Sequence, residues 1–170
     1  NMNKRRFRIY FWTISCILSM AIFGSIVIIN DRVFSYDTNI AHPNIITESA
    51  KIYNKSNQNK LNIQQISWME QGGINEDTPL RWVNHFYDPI NNKGYHGKYS
   101  TAKSWSKDST RQRNYALGDN TWQRAISDYQ AGNYEQAFEG LGHVLHLIAD
   151  MAVPAHTRDD SHPMGDSYEQ

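Results

Sequence analysis

The chain opens on a long apolar run and then turns polar. Residues 9–29 carry no charged side chain. As a helix those 21 residues would extend about 31 Å, close to the thickness of a bilayer core. Lys4, Arg5, Arg6 and Arg8 precede the run, and no acidic residue occurs before Asp31. The positive-inside rule then places everything after the run on the exported side. No Ala-x-Ala pattern follows it, which favours an uncleaved anchor over a removed signal peptide. Residues 31–41 are polar and read as a linker.

Beyond the linker no stretch alternates with period two and no segment repeats, so the expected class is all-α. Residues 47–54 predict a short helix. Residues 54–65, rich in Asn, Gln and Lys, predict a surface loop or frayed helix. Residues 68–81 contain Gly72-Gly73 and Pro79 and predict mostly turn. Asp88-Pro89 and Asn91-Asn92-Lys93-Gly94 are strong turn signals. Helical patterns return over residues 102–115 and 121–131, the second with Asn120 as its cap. Asn133 then caps a long helix running from Tyr134 to about Met151, with Glu135 in its first turn.

That last helix carries the most telling pattern. Leu141, Val144, Leu145, Leu147, Ile148 and Met151 surround His146 and Asp150, and His156 follows Pro154. The motif reads H-x3-D-x5-H. His146 and Asp150, four apart, share one helix face, and Pro154 ends or bends the helix and re-aims His156. Polar groups in so apolar a setting need partners, because burial without them is costly. Imidazole nitrogens and a carboxylate together suit zinc.

Charge and cysteine content narrow the chemistry. Lys+Arg and Asp+Glu are 17 each, but four of the cations sit before the apolar run. The remainder is net acidic, which argues against a broad nucleic-acid-binding face. It leaves room for a small phosphodiester site in which a metal supplies the positive charge. Cys16, the only cysteine, lies inside the apolar run, so the exported part has neither disulfide nor thiolate ligand. A metal there must use His, Asp and Glu. Candidates besides the helix motif are His42 in His42-Pro43, Glu76-Asp77 after the double glycine, and His85 in Asn84-His85-Phe86-Tyr87-Asp88-Pro89. His143, His96, Trp105, Trp122 and Phe138 read as packing or loop residues. Trp82 reads as packing, or as the wall of a pocket for a cationic head group.

The His85-Phe86-Tyr87-Asp88-Pro89 segment, with Asn92-Lys93 and Tyr95 after it, closely resembles a segment of the bacterial zinc-dependent phospholipases C. Residues 129–156 resemble their central helix, from its Asn-Tyr-Glu-Gln-Ala-Phe entry to its H-x3-D-x5-P-x-H class of ending. The wider superfamily includes the S1/P1 nucleases. The resemblance covers roughly residues 42–169. It implies an all-α helical bundle around two or three Zn2+ ions, with a further helix beyond Gln170. It also implies that His42 binds one ion of a close pair, that Asp77, His85 and His146 bind the other, and that Asp150 bridges the two. His156 would start a third, more separate site. Glu169 of Tyr168-Glu169 would complete that site, together with His162 or Asp166, since Gly165 stands where the family places a His. No Trp lies between Gly24 and His42, where the family has a metal-binding amino-terminal Trp, and the Asp77-to-His85 spacing is shorter than in the phospholipases.

The expected domain organisation is a segment over residues 1–30, a linker over 31–41 and a phospholipase C-like domain over 42–170. The expected function is hydrolysis of a phospholipid or other phosphodiester by a metal-activated hydroxide. Asp150 would bridge, and Asp77 would serve as ligand, general base or both. The alternatives are an S1/P1-type single-strand nuclease and a non-catalytic exported metal-binding domain. The chain would be exported from a bacterial cytoplasm and held at the outer face of the membrane, or secreted if the first segment is cleaved. The residues imply no protein partner.

Overall fold

His42-Pro43 lies at the opening of a helix. In the computed structural model, which describes residues 40–159, α1 spans Ala41–Ser56. Pro43 sits in its first turn, where a missing N–H leaves no intrahelical hydrogen bond unmade. His42, Ile46 and Ala50, spaced by four, form its buried stripe. The expected helix from Thr47 therefore begins six residues earlier.

α2, Ile63–Glu76, corrects the expectation of turn around the double glycine. A capping box starts it. The Asn62 side chain accepts from the Gln65 amide, and the Gln65 side chain accepts from the Asn62 amide, each at 2.9 Å. Gly72 and Gly73 lie inside the helix because the partner helix comes too close for a side chain. A Cβ at Gly72 would fall 1.9 Å from the Glu139 carbonyl oxygen. The contact is reciprocal, since a Cβ at Gly142 would fall 2.0 Å from the Met69 carbonyl oxygen.

Two short helices, α3 (Ala102–Trp105) and α4 (Ser109–Gln112), replace the single helix expected over 102–115. Thr101 and Asp108 cap them with side-chain acceptors, and the second cap interrupts the run. α5 spans Trp122–Gln130, with Thr121 rather than Asn120 accepting from the Arg124 amide at 3.2 Å. α6 spans Tyr134–Asp150, as its pattern predicts, but the Asn133 side chain makes no capping hydrogen bond. Pro154 then starts a new helix, α7 (Pro154–Arg158), at a position that suits it. Single 3-10 turns lie at Trp82–Asn84 and Tyr95–Gly97. The Asp88-to-Gly94 turn closes through paired backbone bonds between Asp88 and Lys93, and no strand occurs among the described residues.

α6 is the central element, packed by α2, α5 and α1. One apolar cluster joins Ile46, Ala50, Met69 and Phe138 from α1, α2 and α6. A second joins Ala102, Trp105 and Leu147. Trp122, expected in the core, is 45% exposed. Among the described residues no helix is long and apolar enough to cross a membrane, and the proposed anchor over residues 9–29 lies outside them.

Candidate metal centre

α6 carries His143, His146 and Asp150 on one stripe, at spacings of three and four. All three are buried. α1 contributes buried His42 from its first turn, directly across from that stripe. Its ring stacks on His146 with centroids 3.6 Å apart. Asp77 is the C-cap of α2, and His85 is the C-cap of the Trp82–Asn84 turn. His156 comes from α7, whose chain is tied back by a hydrogen bond from the Tyr87 amide to the His156 carbonyl (2.9 Å). Four rings from four elements thus face the Asp150 carboxylate, with Asp77 beside two of them.

Asp150 presents its two oxygens to different rings. Oδ1 lies 3.5 Å from His42 Nε2. Oδ2 lies 3.0 Å from His85 Nδ1, 3.3 Å from His146 Nε2 and 3.5 Å from His156 Nδ1. Asp77 Oδ1 lies 3.5 Å from both His85 Nδ1 and His146 Nε2. Two ligands about 2.1 Å from one tetrahedral ion are roughly 3.4 Å apart, so these separations are compatible with atoms sharing a metal. The polar contacts support the same conclusion. Asp150 Oδ2 and His146 Nε2 are buried and make no hydrogen bond despite their close neighbours. Both residues belong to a group whose His and Asp ligand atoms all lie within 4.8 Å of one another. The His146 Nδ1–H donates to the Gly73 carbonyl at 2.6 Å, which leaves Nε2 as the free lone pair. Two donor groups result, His42–Asp77–His146 and His85–His146–Asp150, and each can hold a metal ion.

The electrostatics follow from burial and from the carboxylates. Burial pushes His42 down, and the His146 ring pushes further; Asp150 and Asp77 oppose them, leaving His42 at about 4. Burial also pushes His85 down, but the adjoining carboxylates of Asp150 and Glu76 outweigh it and raise the ring to about 10. Burial raises Asp150, yet the surrounding His146, His156 and His85 hold it well below the ordinary carboxylate range.

Glu76 was coupled with Asp77 in the sequence, and the two carboxylates separate in the fold. Asp77 is 28% exposed and faces His85 and His146, whereas Glu76 is fully buried. Glu76 Oε2 accepts from Arg81 Nε (3.0 Å) and Nη2 (2.8 Å) and contacts His143 Nδ1. Its Oε1 accepts from the Trp105 indole at 2.6 Å and faces His85 Nε2 at 3.6 Å. Arg81 also donates to the Ala116 and Gly118 carbonyls and to Gln112 Oε1. His143 and Trp105, read as bland, thus belong to the scaffold beneath the cluster. Nothing in the local sequence distinguishes Glu76 from a solvated acid. The one available signal is Arg81 five residues on, and its meaning depends on a turn between them.

His96 is an exposed loop residue, and Trp82 is 42% exposed with its edge against Tyr95. His162, Asp166 and Glu169 lie outside the described residues. No protein-family model matches this chain, and no curated protein does.

Proposed function

We propose that the chain is a zinc-dependent phosphoric ester hydrolase of the phospholipase C type. The observation that carries this reading is the gathering of His42, His85, His146 and His156 around Asp150, with Asp77 against His85 and His146, at spacings that metal ligands could have. In this reading His85, His146, Asp77 and Asp150 would hold one zinc, and His42 with Asp150 would hold a second. The resemblance would give His156 to a third site together with Glu169 and His162 or Asp166. Bound zinc would polarise a phosphoryl oxygen and bring the pKa of water near neutrality.

The protein's own groups then have separate tasks. Asp150, ionised and buried, offsets the positive charge of two neighbouring ions. The rings supply neutral lone pairs, fixed for His146 by the Gly73 carbonyl. Asp77 is the most exposed of the cluster's carboxylates and is placed to take a proton from an attacking water. Neither Ser nor Cys is needed as a nucleophile. The resemblance around His85 and the apolar run near the amino terminus favour a phospholipid substrate at the outer face of a bacterial membrane.

One observation favours the nuclease reading. Lys93, Lys98, Lys103, Lys107, Arg111 and Arg113 are exposed within a stretch containing a single acid, Asp108. Four of these cations, Lys93, Lys103, Lys107 and Arg111, line one concave patch, which net charge over the whole chain conceals. It adjoins the His85 segment, since the Ser100 amide donates to the Asn84 side chain (3.3 Å) and the Ala102 amide to the Phe86 carbonyl (2.9 Å). Extended polyanions are bound by such faces.

Assays of the full chain against phosphatidylcholine, single-stranded DNA and a generic phosphodiester, with and without chelator, separate these readings. Chelator-sensitive cleavage of the lipid supports the phospholipase reading. Cleavage of DNA alone supports the nuclease. Bound metal without turnover on any of the three leaves a metal-binding domain.

A further inference from the structure

We infer that Glu76 is the positioning residue that fixes how His85 meets the metal, and that Arg81 holds Glu76 in place for that task. The inference rests on the metal reading of the cluster above. It identifies a role for a buried network that touches the cluster at one ring and supplies no ligand itself.

His85 faces carboxylates on both sides. Its Nδ1 points at Asp150 Oδ2 (3.0 Å) and Asp77 Oδ1 (3.5 Å), the metal side. Its Nε2 points away, buried and without a hydrogen bond, and Glu76 Oε1 faces it at 3.6 Å. A neutral imidazole has one N–H and one lone pair. A carboxylate at Nε2 selects the tautomer protonated there and aims the Nδ1 lone pair at the metal. It also makes the ring a better donor to the metal. His146 is oriented by a neutral backbone carbonyl, so the two rings differ in the strength of that support.

The carboxylate can do this only if it stays ionised and stationary. Glu76 is fully buried, and its remaining partners are all donors or aromatic nitrogens: the Arg81 guanidinium, the Trp105 indole and the His143 ring. Arg81, itself fully buried, is anchored by the Ala116 and Gly118 carbonyls and the Gln112 side chain. Its face also lies over the Trp105 ring, 5.0 Å from the centroid. The network is thus built around one negative charge, and the open side of that charge is His85. The adjacent carboxylates divide the work, with Asp77 on the metal and Glu76 behind the histidine.

Two measurements on the full chain test this. The first is made on wild-type protein loaded with cadmium-113, by nitrogen-15 NMR of the histidine rings. The expected result is cadmium coupling at His85 Nδ1 and a proton on Nε2. Coupling at Nε2 overturns the role of Glu76, and the absence of any bound metal overturns both this inference and the reading beneath it. The second uses the paired replacement Glu76→Gln with Arg81→Met, which removes the buried charges together. Zinc affinity is measured by chelator competition. The expected result is a loss of about 10–100-fold with retained helical circular dichroism. Unchanged affinity in the folded double variant overturns the inference, with the metal reading intact. If the double variant does not fold, the wild-type coupling pattern alone decides.

Discussion

Asp150 is the residue on which most of the account depends, because it alone faces rings on both sides of the cluster. Replacing it with Asn keeps the shape and removes the charge that offsets two cations. Asp150→Asn is expected to lose at least one zinc per chain and to reduce hydrolysis to near background. Helical circular dichroism should largely persist; full zinc content with normal turnover would contradict this. The same residues set a pH dependence for the metal-free protein. Folded His85, raised to about 10, binds more protons than unfolded His85, whose value is near 6.5. Its contribution is complete below pH 6.5 and is lost as pH rises through about 10. Folded His42, lowered to about 4, binds fewer protons than its unfolded form, so stability falls as pH drops from 6.5 toward 4. Thermal melts in chelator should therefore peak near pH 6.5 and decline on both sides, and a monotonic trend would contradict this assignment. Sequence made His146 and Asp150 legible because four residues on a helix are one turn. It could not place Glu76, since a buried counter-charge and a solvated acid look alike until the Arg81 turn is known.

At the scale of elements, the close approach of α2 and α6 is the feature most exposed to test. Alanine is a better helix former than glycine by about 1 kcal/mol, so propensity alone favours Gly142→Ala. The Met69 carbonyl oxygen 2.0 Å from the added Cβ opposes it, and a backbone atom cannot swing aside. Gly142→Ala should destabilise the fold by about 2 kcal/mol or more in denaturant titrations. Gly140→Ala should be much milder, because its nearest neighbour is the Ala125 side chain at 3.2 Å. Equal effects would mean that the helices are not held at this distance. The contact also explains where the sequence misled. Gly72-Gly73 reads as a turn when glycine is taken as a helix breaker, but here its missing side chain is what matters. The Asn62–Gln65 capping box marks the start of α2 inside a stretch that composition alone reads as loop or frayed helix. The length of α6 was legible because its apolar period is unbroken over 17 residues. The split between α3 and α4 was not, because Asp108 acts as a cap only once its side chain turns back on Arg111.

For the molecule as a whole, a centre built from α1, α2, α6, α7 and the His85 turn should couple metal binding to stability. A ligand bound only by the folded state at 100 times its dissociation constant adds about 2.7 kcal/mol. Zinc removal should therefore lower the melting temperature by several degrees, with recovery on adding zinc back. The class, all-α over the described residues, followed from the lack of strand periodicity. The gathering of His42 and His85 at α6 is a tertiary event that spacing along the chain does not encode. The family resemblance suggested it, and the fold supplies the distances. The most direct test of the central claim is the number of zinc ions per full-length chain after loading and exhaustive dialysis, measured by elemental analysis. The account predicts two or three. Fewer than one would contradict it, because the buried histidines and carboxylates around Asp150 would then have some other reason to converge.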